Sequence, residues 1–184
     1  MKIEIEIATD RDDIDGILSL QKENIKSSDD TDRDWSDGFV TLRHNPEILQ
    51  QMMEQSPQIV ALHQGQVVGY SLTMLPETAG IFPILDPMIR AFGEINLSGK
   101  QLTEIPFIIG GQCCIDQRFR GRNLLDLLYR RAKEELKDHY DYCVTEIDRN
   151  NHRSLQAHLK IGFEKIHTYT TRTRIWDVVA QKWG

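Results

Sequence analysis

An apolar run from Pro106 to Ile115 passes within a few residues into an amphipathic stretch from about Arg122 to Lys137, with Gly121 between them. A run this apolar reads as a central strand buried on both faces. Leu124, Leu128, Ala132 and Leu136 recur every fourth residue and lay one apolar stripe along a helix. A buried strand that feeds at once into a helix needing cover on one side restricts the chain to layered α/β architectures.

The rest of the chain fits that restriction. Met1 to Ile7 alternates apolar with charged residues and reads as a first strand, not as the unbroken apolar stretch of a signal peptide. Thr9-Asp10 is placed to cap a helix carrying Ile14, Ile17, Leu18 and Gln21 on one side and fading near Lys26. Ser27 to Asp37 (SSDDTDRDWSD) is too charged to pack and reads as a loop. Asn45-Pro46 opens a second helix that ends before Pro57. Gln58 to Leu62 and Gln66 to Met74 are two strands joined through His63-Gln64-Gly65. From Leu75 to Ile105 prolines and glycines interrupt the pattern, with one short helix predicted where Asp86 caps and Pro87 starts the turn. After the central strand and its helix come a strand at Tyr142 to Ile147, a helix at Asn151 to Lys160, and closing strands at Phe163 to Tyr169 and Thr171 to Val179. No repeat is present.

At 184 residues, one domain spanning 1–184 is expected. With 40% hydrophobic and 27% charged residues, the composition is that of a soluble globular protein, not of a membrane-embedded or disordered chain. Cys113, Cys114 and Cys143 are odd in number and lack metal-ligand spacing, so neither disulfides nor a metal site is expected, and a cytoplasmic location suits them. The first 60 residues carry 6 basic and 14 acidic side chains against 16 and 14 in the remainder. That asymmetry fits two ligands of opposite charge, or simply solvated faces. A nucleic-acid partner is not expected at a sequence pI near 5.5.

Two segments carry the chemistry. In the first, Asp116-Gln117-Arg118-Phe119-Arg120-Gly121-Arg122-Asn123 lies where the buried strand gives way to the amphipathic helix. A helix start presents unpaired backbone N–H groups and a positive dipole end, which suit a phosphate. Six basic residues and one acid, Asp126, lie between Arg118 and Lys133. No Gly-Lys-Ser/Thr follows and only one glycine is present, so this is neither a nucleotide P-loop nor a dinucleotide fingerprint. A basic solvated helix with Gly121 serving the turn is the plainer reading. In the second segment, Glu146 to Phe163, Asn151 can cap a helix, and Gly162 with Phe163 can stop it.

Together, the two segments and the order of elements resemble the GNAT superfamily of N-acyltransferases, whose strand-to-helix signature is Arg/Gln-x-x-Gly-x-Gly/Ala and whose next helix runs from a capping Asn to Gly-Phe. The resemblance implies a mixed, mostly antiparallel α/β sheet with helices on both faces and splayed fourth and fifth strands. It implies acetyl transfer from acetyl-CoA to an amine, by direct attack in a ternary complex. The pantetheine arm would lie beside Gln112, Cys113, Cys114 and Ile115. The pyrophosphate would lie on the turn of Arg118, Phe119, Arg120, Gly121, Arg122 and Asn123, with Asn151 also among the cofactor-binding residues. Asn123 departs from the family pattern of Gly or Ala.

Compared with the ribosomal-protein alanine N-acetyltransferases, Glu146 occupies the position of the general base and His158 that of the tyrosine general acid. Structural roles for both remain open. Neighbouring residues on a strand face opposite ways, so at most one of Cys113 and Cys114 could line a cleft, and no adjacent base is evident; an acyl-cysteine route is not expected. The expected partners are acetyl-CoA and a cationic amine, with no membrane and with a homodimer left open. Asp29, Asp30, Asp32, Asp34 and Asp37 are candidates to attract the amine, and Leu75 to Ile105 to form another wall. The acceptor's identity is open. A non-catalytic acyl-CoA-binding regulatory module is the alternative, kept by the tyrosine-to-histidine change.

Overall fold

The computed structural model describes residues 2–25 and 38–184. In chain order the elements are β1 (Glu4–Ile7), α1 (Arg11–Asn24), α2 (Pro46–Gln55), β2 (Ile59–His63), β3 (Gln66–Met74), α3 (Asp86–Phe92), β4 (Asn96–Leu97), β5 (Lys100–Gln101), β6 (Phe107–Ile115), α4 (Leu124–Leu136), β7 (Tyr142–Asp148), α5 (His152–Lys160), β8 (Glu164–Thr170) and β9 (Ile175–Lys182). Seven of the strands form a mixed sheet in the order β1-β2-β3-β6-β7-β9-β8, and β4 with β5 makes a separate hairpin. Asp29, Asp30, Asp32, Asp34 and Asp37, expected to attract the amine, lie outside the described residues.

The chain divides into two compact units, one of Met1–Thr73 with Gly111–Glu135 and one of Met74–Gly110 with Leu136–Gly184. In the first, β1 pairs antiparallel with β2 and β2 with β3. Asp10 caps α1 by accepting from the Asp13 N–H, and Asn45 caps α2 by accepting from that of Ile48. These side chains satisfy helix donors that have no partner within the helix. Ile14, Ile17 and Leu20 of α1 and Leu49 of α2 are buried, as are Leu124, Leu128 and Ala132 of α4. Each large aliphatic side chain of this kind contributes about 1.5–3 kcal/mol when fully removed from water.

In the second unit, β7 pairs antiparallel with β9 over its whole length, and β8 pairs with β9. The parallel ladder of β6 with β7 comprises Phe107↔Tyr142, Ile108↔Cys143 and Ile109↔Val144. Beyond it, Thr145 to Asp148 pair with β9.

Of the boundaries that differ from the sequence reading, three have a local physical reason. Asp86 is the first helical residue of α3 and not its cap; a 3₁₀ turn at Pro83–Leu85 leads in, and Leu85 supplies no side-chain bond. α4 starts at Leu124 rather than Arg122, because Gly121 (φ 76°) and Asn123 (φ 61°) are left-handed and a helix cannot pass through them. β9 runs from Ile175 rather than Thr171, since Thr171 and Arg174 close the β8–β9 turn through a backbone bond of 2.9 Å. The interval after β3 also holds the β4–β5 hairpin and a 3₁₀ turn at Leu102–Glu104 closed by a capping box between Gln101 and Glu104. Among the described residues no helix is long and apolar enough to cross a membrane.

Gly16 marks a close approach of α1 to β3. A Cβ there would lie 2.5 Å from Cγ2 and 2.8 Å from Cβ of Val67. Gly16→Ala should therefore destabilise the protein by about 1–3 kcal/mol, although alanine is the better helix former. Denaturant unfolding checks this, and Val67→Ala in the same chain, which removes the nearer Cγ2 contact and keeps the Cβ, should restore part of the loss.

Candidate active site

The turn after β6 is built on a carboxylate. Asp116 is buried, and its backbone N–H donates to the Val68 carbonyl at 2.9 Å, which ties the end of β6 to β3. Its side chain accepts from the Arg118 N–H at 2.9 Å and from the Arg118 guanidinium, at 3.1 Å from Nε and 2.5 Å from Nη2. The Arg118 hydrogen bonds hold the Asp116 carboxyl below the usual carboxylate range. Arg120 turns back as well, with Nε donating to the Ile115 carbonyl at 3.1 Å and Nη2 to Asn24 Oδ1 at 3.2 Å. Phe119 is buried and its ring centroid lies 5.3 Å from that of His63. Of the predicted phosphate residues, then, Arg118, Phe119 and Arg120 brace the turn. Gly121 and Arg122 are exposed, and among the described residues, chain neighbours aside, no atom lies within 4 Å of where a Gly121 Cβ would stand, so the backbone here has space beside it.

Asn123 is accounted for by its φ of 61°. Asparagine is among the few residues that visit the left-handed region readily. Its side chain turns to the helix, Nδ2 donating to Asp126 Oδ2 at 2.9 Å. The resulting geometry ends in the first turn of a 13-residue helix, whose opening N–H groups have no partner within it.

The β6 residues predicted to lie beside a cofactor arm separate by face. Gln112 enters a polar network whose partners are far apart in the sequence. Its Oε1 accepts from Tyr70 Oη at 2.5 Å and from Gln21 Nε2 at 2.7 Å, and its Nε2 donates to the Leu42 carbonyl at 2.7 Å. Gln21 Nε2 also donates to His44 Nδ1 at 2.8 Å, and Gln21 Oε1 accepts from the His44 backbone N–H at 2.8 Å. Burial lowers His44 to about 4, so the ring is neutral and its Nδ1 accepts. Cys114 is buried and Cys113 half-buried, and burial pushes both thiols up to about 12. A thiol held protonated in this way is a poor nucleophile. Ile115 ends the strand.

In the second unit, Glu146 and Tyr169 meet. Glu146 lies opposite Val178 of β9, and Tyr169 of β8 lies opposite Trp176 of β9. Side chains alternate along a strand, so both stand on one face, and the tyrosine reaches across β9 to donate its hydroxyl to Glu146 Oε2. Burial pushes the Glu146 carboxyl up to about 7, against the opposing effect of this bond. Burial, followed by the Glu146 charge, raises the Tyr169 phenol far above its ordinary value. On the opposite face Asp177 has the reverse setting. Arg149 Nη2 at 2.7 Å, Lys165 Nζ at 2.8 Å and Thr168 Oγ1 at 2.8 Å surround it, and these donors, Arg149 foremost, hold it below the carboxylate range.

His158 sits in the last turn of α5. Its Nδ1 lies 2.8 Å from the Ser154 carbonyl, which can only accept, so Nδ1 carries the proton. Burial lowers its pKa to about 4. The helix ends in a Schellman motif: the Gly162 N–H reaches the Leu159 carbonyl and the Phe163 N–H that of His158, each at 3.1 Å, with Gly162 at φ 97°. The contact that accompanies this motif joins the residue after the glycine to the one five before it. Here those are Phe163 and His158, whose rings meet edge to face at 5.2 Å. Asn151 is the α5 cap, its Oδ1 accepting from the Ser154 N–H at 3.3 Å. Among the described residues no group of His, Cys, Asp or Glu is placed to hold a metal.

No family model matches the chain, and no curated protein sequence matches it. Solved structures do share its fold. An acetyltransferase of the GNAT family from Streptococcus agalactiae superposes with a TM-score of 0.66 at 16% identity, covering 98% of this chain and 95% of its own. A NatC complex bound to Gag peptide and CoA includes a chain similar at 0.66 and 12% identity, with 100% of both chains covered. The protein yncA from Salmonella typhimurium, solved with its cofactor acetyl-CoA, gives 0.62 at 15% identity over 99% of this chain and 94% of its own. The fold is thus that of GNAT acetyltransferases.

The state of Glu146 has a measurable cost. Its folded pKa is raised from 4.5 to about 7, so between those values the folded protein keeps a proton that the unfolded chain has released. Stability therefore declines as pH rises through that window. Glu146→Gln should raise the melting temperature at pH 8 and change it little at pH 4. Thermal unfolding at both pH values checks the difference.

Proposed function

We propose that the protein transfers an acetyl group from acetyl-CoA to a primary amine, with Glu146 as the general base. The observation that carries the reading is a carboxyl whose pKa is pushed up to about 7 inside an acetyltransferase fold. A base works best when its pKa lies near the working pH. The relatives crystallised with CoA or acetyl-CoA support the choice of donor. The open backbone at Gly121 and the start of α4 fit a pyrophosphate, which the helix N-terminus would hold through N–H groups. Arg118 and Arg120 support that turn, and Arg122 is the exposed cation nearest to Gly121 in sequence. Glu146 takes a proton from the ammonium, directly or through a water. The amine nitrogen then forms its bond to the thioester carbonyl carbon, the carbon–sulfur bond breaks, and CoA leaves and is protonated to the thiol.

In this reading His158 secures the end of α5. At neutral pH its ring is neutral with the proton on Nδ1, which is already donated to Ser154, so the thiolate takes its proton from water. The alternative of a regulatory acyl-CoA binder is decided by turnover.

Two outcomes test the proposal. CoA release from acetyl-CoA should be seen with at least one amine of a panel comprising a peptide N-terminus, a lysine peptide, a polyamine and an amino sugar. Gly121→Asp, which sets a carboxylate against the pyrophosphate, should weaken acetyl-CoA binding by about tenfold or more in calorimetry. Wild-type affinity in the folded variant would overturn the phosphate assignment, and no turnover with any amine would favour the binding module.

The position of His158 gives a separate expectation. His158→Phe should lower kcat by less than about tenfold and leave the alkaline side of the pH profile unchanged. A loss of about 10²–10⁴-fold, the usual worth of a positioned acid, would return the histidine to a catalytic role.

A further inference from the structure

We infer that Tyr169 is a positioning residue for Glu146, fixing one carboxylate oxygen from across β9 so that the other is presented to the amine. The inference rests on the proposed base and goes beyond it, because neither strand spacing nor the family signature marks Tyr169. Glu146 Oε2 accepts the tyrosine hydroxyl, and this is the one side-chain donor found on Glu146 among the described residues. An ionised carboxylate has about four lone-pair sites, so Oε1 is left to receive a proton. Burial keeps the phenol protonated far above neutral pH, so Tyr169 is a donor throughout the working range and never competes for the proton being removed. A charge-assisted bond of this kind favours the ionised carboxyl and opposes the burial that raises it.

The neighbouring titratable groups do not take this role. On the Glu146 face, His167 of β8 lies opposite Val178, and Asp148 of β7 lies opposite Trp176 and is paired with Arg174 at 3.1 Å. Asp177, Arg149 and Lys165 form their cluster on the other face, with Thr168. The shift of Glu146 comes from burial and from Tyr169, with no contribution from the charge of any of these groups.

In the step that Tyr169 supports, the ammonium N–H bond breaks, its proton goes to Oε1 of Glu146, and the nitrogen keeps the electron pair that attacks the thioester carbon. The Tyr169 O–H bond stays intact throughout. After CoA departs, the glutamic acid returns its proton to solvent.

Tyr169→Phe removes the donor and keeps the ring. The test is a ¹³C titration of the Glu146 carboxyl in full-length wild type and Tyr169→Phe, with Glu146→Gln to assign the signal, alongside the pH profile of kcat/KM for the amine found in the panel. The titration midpoint should rise by about one on the pH scale, and the acid limb of kcat/KM should move with it. Activity should fall about fivefold at pH 7 and recover to near wild type at pH 9. An unmoved midpoint, or the same fractional loss at every pH, would overturn the inference and leave Tyr169 as packing. If instead Glu146→Gln turns over as wild type does, the proposed base itself fails, an outcome distinct from the first. Tyr169→His, which keeps a donor, should bring the limb part of the way back.

Discussion

The turn that leads out of β6 depends on one ion pair, Asp116 with Arg118. A buried carboxylate carries a large desolvation cost unless charge and hydrogen bonds compensate it. Arg118 does so with its side chain and its backbone N–H together, and this bends the chain toward Arg120 and Gly121. The Val68 carbonyl then fixes the turn to β3. The acid and the arginine neutralise each other, so in the proposed reading a phosphate would be met further along the chain, at the left-handed step of Gly121, the exposed Arg122 and the first turn of α4. The Arg118 guanidinium and backbone N–H both bond Asp116, which gives this arginine a structural role in the loop.

A similar contrast governs the two carboxyls of the β7–β9 pair. Asp177 has two cations and a hydroxyl within 2.8 Å and is driven down, whereas Glu146 has one hydroxyl and is driven up. They sit on the same pair of strands, one register step apart and on opposite faces. Burial drives Glu146 up and the charged donors, Arg149 foremost, hold Asp177 down, so the two carboxyls differ in the balance of burial against donors. At neutral pH the raised carboxyl detracts from folding stability and the lowered one adds to it.

Much of this is legible in the sequence because it is local. The β3 bounds at Gln66–Met74, the Asp10 and Asn45 caps, the α4 stripe and the Gly162-Phe163 stop each depend on residues within a turn or two of one another. The later start of α4 is not, since asparagine at position 123 does not by itself announce a left-handed residue. Tyr169 is hidden because its partner is 23 residues away and two strands across, and a tyrosine in an alternating strand is unremarkable until the registers are known. His158 carries two readings at one position. Its place in the family motif suggests chemistry, while the same place is the one from which a helix packs onto the residue beyond its terminal glycine.

Gln112 joins Gln21, Tyr70, His44 and the Leu42 carbonyl in a closed set in which each amide group of both glutamines is matched. Segments distant in sequence thus share one hydrogen-bond inventory. Changing any one of these side chains leaves a buried donor or acceptor unmet, at about 1–3 kcal/mol, while changing two in a compensating way need not. Descendants of this chain should therefore drift at these positions in pairs, so that Gln21, His44, Tyr70 and Gln112 covary as a block even where the surrounding apolar residues change one at a time.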